Sequence, residues 1–311
     1  MIKSEFGLIE KIKRKIPRDL QGTIPIGDDA GAWMSPSGKQ LLFTSDVIVE
    51  NVDFIRRQLA PEKIGRKALA INLSDMAAMA AEPLVFTIAL GIPKSMPEAW
   101  ILRFYNGLMD LARQYNVSCV GGDVTQAKEF FASIALTGQA AKEEIVRRRG
   151  ARSGDWIAVT GVLGGSILKN HYAFEPRVEE ARFLTRLFRP SAMIDISDGL
   201  LQDLEHLLKA SGCGADLNVD KIPVSPDAME LSAKTGRTFW EHALTDGEDF
   251  ELLFTVNQAM KTQLEKAWPK AFPGVKLSWI GRIRSGKGTT FKSKGKTVSL
   301  QFKKKGYTHF S

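Results

Sequence analysis

Five short acidic segments punctuate the chain: Gly27-Asp28-Asp29, Thr44-Ser45-Asp46, Asn72-Leu73-Ser74-Asp75, Gly121-Gly122-Asp123 and Asp195-Ile196-Ser197-Asp198-Gly199. They follow or interrupt apolar stretches, and each reads as a turn marked by glycine or small residues. A fold built from this pattern must gather the carboxylates in a cleft or leave charge beside its cores. Carboxylates with small neighbours and no histidine are the ligand chemistry of hard cations such as Mg²⁺, which keeps water and bridges to phosphates. The pattern points to phosphoryl transfer.

The chain has 311 residues, 44% of them hydrophobic and 25% charged, which suits a soluble globular protein of two domains of about 150 residues each. Cys119 and Cys213 form no CxxC pair and no zinc-type spacing, as expected of a protein of the reducing cytoplasm. Charges at Glu10, Lys11, Lys13, Arg14 and Lys15 interrupt any signal-peptide core. No apolar run approaches the roughly 20 residues that span a bilayer, so no membrane partner is expected. The formal charge is +8, yet nine of the 43 Lys and Arg residues lie between Gly281 and Ser311, where there is no Asp or Glu. That tail reads as a hairpin turning near Gly295 with solvated lysines, and a nucleic-acid partner is not expected. An RNA- or anion-binding protein using this tail is the non-enzyme alternative, which a salt-dependent binding assay discriminates.

Periodicity predicts a helix over 4–16, with Ile9, Ile12 and Ile16 on one face, and a strand from Leu41 ending at Asp46, its apolar run continuing through Val49. A helix follows from Pro61 to Ala81, proline suiting its first turn. Then come a strand over 85–92, a helix over 97–115, a strand over 117–120 delivering Gly121-Gly122-Asp123, and a strand over 130–138. On the second helix Ile64, Ala68, Ile71 and Asp75 share a stripe. A carboxylate there must be protonated, paired with Lys67 or Arg66, or bound to metal. The basic stretch from Arg147 to Arg152 marks the expected boundary between domains 1–146 and 147–311.

Beyond it, Trp156–Thr160 reads as a strand feeding the glycine loop Gly161-Val162-Leu163-Gly164-Gly165-Ser166 and a helix. That loop is either a tight connection or a phosphate cradle. Leu200, Leu201, Leu204, Leu207 and Leu208 form a helical face, which makes Ser197 or Asp198 an N-cap and leaves Asp195 unexplained. Asp246-Gly247-Glu248-Asp249 puts three acids before a buried strand and favours a site. The architecture is mixed α/β.

If the acidic segments converge, two unit charges about 4 Å apart repel by roughly 4 kcal/mol at an effective dielectric of 20, so several divalent cations are needed. A metal-bridged triphosphate meets that need. His171, His206, His242 and His309 all lie outside the acidic segments, which leaves no obvious phosphohistidine and favours direct in-line transfer.

Gly27-Asp28-Asp29-Ala30, Ala68–Met79 with its Asn72-Leu73-Ser74-Asp75 core, Gly121-Gly122-Asp123, Ala192–Leu200 and Gly247-Glu248-Asp249-Phe250-Glu251-Leu252 resemble the thiamine-monophosphate kinase family, from Phe6 to the closing Lys305-Gly306-Tyr307. The resemblance implies the two-domain fold of aminoimidazole-ribonucleotide synthetase, with an N-terminal α/β domain that dimerises and a C-terminal α/β domain that covers the cleft. It implies transfer of the γ-phosphate of ATP to thiamine monophosphate. Another acceptor within the same superfamily is the alternative. By matching motifs, Asp29, Thr44, Ser45, Asp46, Asp75, Asp123, Asp195 and Asp198 would hold magnesium, and Asp29, Asp46, Asp75, Asp123 and Asp198 would form the catalytic group. Tyr105, Gly121, Gly122, Arg148 and Ser197 would contact ATP. Glu248 and Tyr307 would face thiamine, and Asp53 stands where the family often carries a substrate-binding histidine.

Overall fold

The computed structural model describes residues 5–13, 23–24, 27–35, 38–302 and 304–308. The first half runs α1 (Glu5–Lys13), β1 (Thr23–Ile24), β2 (Gly31–Met34), β3 (Gln40–Val49), α2 (Pro61–Ala78), β4 (Glu82–Pro93), α3 (Glu98–Gln114), β5 (Ser118–Ala127) and β6 (Phe131–Ala140). The second half runs β7 (Trp156–Thr160), α4 (Asn170–Ala173), α5 (Val178–Phe188), β8 (Ala192–Asp195), α6 (Leu200–Ser211), β9 (Gly214–Asn218), α7 (Pro226–Thr235), α8 (Phe239–Thr245), β10 (Leu252–Val256), α9 (Gln258–Ala271), β11 (Leu277–Arg284), β12 (Gly288–Ser293) and β13 (Lys296–Val298). Among the described residues the strands form two mixed sheets, ordered β1-β2-β3-β6-β4-β5 and β13-β12-β9-β11-β7-β10-β8.

α2 is the pivot. It starts at Pro61 with Glu62 in its first turn, where a fixed φ and a negative charge both suit a helix N-terminus. It is buried on almost every side. A Cβ at Gly65 would stand 1.9 Å from the carbonyl oxygen of Phe104, and one at Gly107 would stand 1.8 Å from that of Glu62. Paired glycines thus let α2 and α3 touch backbone to backbone. Ile64, Leu69, Leu73 and Met76 of α2 share one apolar cluster with Phe174, Leu184, Phe254 and Trp268 of the second half. That core joins the two sheets. A second cluster, with Leu200, Leu204, Leu207, Leu217, Leu253 and Ile280, lies within the second half.

The helix expected over 4–16 is seen from Glu5 to Lys13, and residues 4 and 14–16 fall outside the described residues. Two expectations need correction. Neither Asp46 nor Asp123 lies in a turn: both sit inside continuous strands, paired with Ile134 and Ala89. Ladder hydrogen bonds carry the backbone through a polar or glycine-containing step when its neighbours are already paired. After β7 the chain makes only a 3-10 turn (Ser166–Leu168) and the single-turn α4. The tail hairpin turns as expected, at Lys294 and Gly295.

Candidate functional site

Asp75 in the penultimate turn of α2, Asp195 at the end of β8 and Asp29 in the turn before β2 place carboxylate oxygens within 4.8 Å of one another. Strand alternation turns Thr44 and Asp46 of β3 toward α2, and Ser45 to the exposed face. The Thr44 hydroxyl donates to Asp75, the Asp46 carboxyl hydrogen-bonds to Asp75, and the Ser74 hydroxyl donates to Asp195 at 2.6 Å. Asn72 accepts from the Asp46 amide at 3.2 Å, which ties β3 to the helix.

Burial pushes the Asp195 carboxyl up to about 8, with the nearby Asp29 adding to the effect. Burial likewise raises Asp46 to about 6. It also lifts Asp75 well above the usual range, followed in weight by the charges of Asp46, Asp195 and Asp29. Neither Lys67 nor Arg66 neutralises Asp75: Arg66 pairs with Glu175 at 2.7 Å and Lys67 with Glu248 at 2.5 Å. Carboxylates crowded against one another, with a hydroxyl beside them and only oxygen donors, fit a hard divalent cation such as Mg²⁺. Arg148 is the nearest counter-charge. Its guanidinium grips Asp29 through two contacts of 2.9 and 3.2 Å, and its amide donates to Asp28 at 2.9 Å.

Asp198 lies one turn further on, within 4.8 Å of Asp203 and His206 by their ligand atoms. The expected cap at Ser197 or Asp198 is not what starts α6. Gly199 is the N-cap, with φ 118°, and Asp203 reaches back from inside the helix to accept from the amides of Asp198 and Gly199 at 3.0 and 3.1 Å. Only glycine holds that backbone without strain.

The turn after α8 is stitched to this segment. The Glu248 amide donates to the Ser197 carbonyl at 2.7 Å and the Phe250 amide to the Ile196 carbonyl at 2.8 Å. Of its three acids, two serve the fold. Asp249 accepts from the Gly164 amide at 2.9 and 3.0 Å, and Asp246 accepts from the Gly165 amide at 3.2 Å. Those contacts also settle the glycine loop, whose amides point at carboxylates: it is a tight connection.

Glu248, the third, turns instead to Lys67 of α2 at 2.5 Å, with Asp53 nearby. Asp53 lies close enough that its charge raises Asp46, Glu248 and Tyr307, and its side chain accepts from the Val49 amide at 2.8 Å. The Tyr307 amide donates to the Asp198 carbonyl at 2.9 Å, and Gln202 donates to the Tyr307 carbonyl at 2.8 Å. Asp53, Glu248 and Tyr307 therefore border the acidic cluster.

Gly121, Gly122 and Asp123 stand apart on β5, the edge strand, with Tyr105 beside Cys119. The register puts Asp123 in a row with Ala89, Ser133 and Val47, on the sheet face opposite Asp46 and about 14 Å of sheet away at the usual strand spacing. Sequence reasoning missed the site roles of His171 and Asp203, and it paired Lys67 with Asp75 and not with Glu248. The only signal for Lys67 was its place just before the apolar run Ala68-Leu69-Ala70-Ile71.

Residues 27–140 match the N-terminal domain of AIR synthase related protein, and residues 133–292 match its C-terminal domain. The thiamine-monophosphate kinase of Rhodopirellula baltica is 38% identical over 87% of this chain and 85% of its own length. That of Escherichia coli K12 is 33% identical over 99% and 98%. A solved structure of AaThiL complexed with AMPPCP and TMP superposes with a TM-score of 0.84 at 31% identity, covering 99% of this chain and 97% of that one. The hydrogenase maturation protein HypE of E. coli, at 21% identity and a TM-score of 0.72 over 84% and 85%, shares the fold. With family models spanning residues 27–140 and 133–292 and relatives above 30% identity matched over most of both chains, this chain belongs to the thiamine-monophosphate kinase family of AIR synthase related proteins.

Proposed function

We propose that this chain transfers the γ-phosphate of ATP to the phosphate of thiamine monophosphate, giving ADP and thiamine diphosphate without a phosphoenzyme. One observation carries the reading: Asp53, Glu248 and Tyr307 border the same cleft as Asp29, Asp46, Asp75 and Asp195. Thr44 and these four acids, with Asp198, would hold Mg²⁺, which supplies charge neutralisation for the triphosphate and the transferring group. An acceptor phosphate oxygen forms the new bond to the γ-phosphorus as the bond to the β,γ-bridging oxygen breaks. A phosphate monoester loses its second proton near pH 6, so the attacking oxygen is already ionised and no histidine base is required. Arg148 and Ser197 approach the nucleotide side. ADP release from the purified chain with ATP, Mg²⁺ and a panel of phosphorylated acceptors tests this. Absence of thiamine-monophosphate-dependent ADP release refutes it.

We also infer a homodimer in which a second copy completes the nucleotide side. The support is the placement of Tyr105, Gly121, Gly122 and Asp123 on or beside an unpaired edge strand, which carries Val120 and Val124 61% and 63% exposed. Phe43 and Val47 are also exposed, on the sheet face that carries Asp123. An exposed apolar edge is a template for pairing. Light scattering should give about twice the chain mass. A fully active monomer refutes the inference.

A further inference from the structure

Lys67 is buried, with 1% of its side chain exposed, and its ammonium has three partners. It donates to the Asp53 carbonyl at 2.9 Å, to His171 Nδ1 at 3.4 Å and to Glu248 Oε1 at 2.5 Å. An ammonium has three N–H groups, so all are used. The partners come from three places: the loop after β3, α4, and the turn after α8. One charge on α2 thereby joins three separate segments. His171 Nδ1 accepts from Lys67, and burial together with that ammonium lowers the ring to about 4, so it is neutral. Glu248 Oε2 lies 3.7 Å from that same nitrogen, which offers it no proton. Glu248 also sits at φ 64°, a costly backbone for a residue with a side chain.

We propose that Lys67 is a positioning residue for the acceptor: it clamps Glu248 through Oε1 so that Oε2 accepts from an N–H of the bound molecule, such as the amino group of an aminopyrimidine. The pair also brings no net charge to oppose the acceptor phosphate. Burial raises Glu248 and Lys67 pulls it back, so loss of the lysine weakens both the charge and the aim of the carboxylate. This proposal rests on the kinase reading above.

The test is steady-state kinetics of the full chain with ATP and thiamine monophosphate varied separately, for wild type, Lys67→Met, Glu248→Gln and the double variant. Lys67→Met should raise KM for thiamine monophosphate at least tenfold, leave KM for ATP within twofold, and move the acidic limb of the acceptor kcat/KM profile to higher pH. The double variant should be no worse than the poorer single one. An unchanged acceptor KM, equal rises for both substrates, or additive losses overturn the proposal. If melting curves show Lys67→Met unfolded, Glu248→Gln decides alone: a selective rise in acceptor KM supports the clamp and an unchanged value overturns it. A wild type that ignores thiamine monophosphate overturns the kinase reading, and this proposal with it.

Discussion

Replacing Asp75 by Asn should make the metal-free protein more stable while removing most of its activity. Its carboxylate stands within 4.8 Å of those of Asp29 and Asp195 by their ligand atoms. At that separation each fully ionised pair repels by about 3 kcal/mol at an effective dielectric of 20. Part of the repulsion is already relieved, because Asp75 is itself held well above the usual carboxylate range and Asp195 is pushed up to about 8 and keeps its proton at neutral pH. A net gain of about 1–3 kcal/mol remains. The amide keeps the shape, accepts from Thr44 through Oδ1 and donates to Asp46 through Nδ2, so both existing hydrogen bonds survive. In EDTA the melting temperature should rise by a few degrees, at about 2–4 °C per kcal/mol for a chain of this class. Mg²⁺ should then add less than it adds to wild type, and kcat/KM should fall about 100-fold or more. The combination separates a metal ligand from a structural acid. A variant less stable than wild type in EDTA, or one that keeps near-normal turnover, refutes the reasoning.

Three further outcomes follow from the same geometry. Mg²⁺ should raise the melting temperature more at pH 8 than at pH 6. The folded-state values of Asp46 and Asp195, about 6 and about 8, lie above the ordinary 3.8, so the metal-free fold loses stability as pH rises through them; equal Mg²⁺ shifts at both pH values would contradict this. Gly65→Ala should cost about 2 kcal/mol or more, since its Cβ meets backbone of α3 at 1.9 Å and neither helix can yield cheaply; a melting temperature within a degree of wild type would dismiss the backbone-contact account. Asp53→His removes a charge that raises Asp46 and Glu248, and should lower KM for the acceptor about fivefold, for roughly 1 kcal/mol of relieved repulsion, with KM for ATP little changed; kinetics in which ATP responds instead would move Asp53 out of the acceptor group.

Much of the fold was legible because its signals are local. The apolar spacing of Ile64, Ala68 and Ile71 after Pro61 located α2, and the short apolar runs located β3, β4, β6 and β7. What stayed hidden is set by partners far along the chain. Lys67 read as a candidate partner for Asp75, and its true partners His171 and Glu248 lie 104 and 181 residues away. The glycine loop at 161–166 showed its amides in sequence but not their destination, Asp249, 85 residues downstream. Asp203 drew no reading in the sequence, because a carboxylate that caps its own helix from within leaves no turn-like signature.

The acids themselves divide by what their oxygens meet. Asp28, Asp203, Asp246 and Asp249 accept backbone amides of Arg148, of Asp198 and Gly199, of Gly165 and of Gly164 respectively. Each satisfies a buried donor that the fold would otherwise leave bare, at a cost of about 1–3 kcal/mol. Asp29, Asp46, Asp75 and Asp195 instead face one another. No gain in folding explains that arrangement, since the charges of neighbouring carboxylates add to burial in raising Asp75 and Asp195, and removing one should relieve them. Members of both classes sit beside glycine or small residues, Asp28 and Asp246 in the first because a tight turn exposes amides, and Asp29, Asp46 and Asp75 in the second because a cation and its phosphate need room. A glycine-flanked aspartate therefore marks either role in sequence. Only the distance to the next carboxylate, against the distance to the next amide, tells them apart.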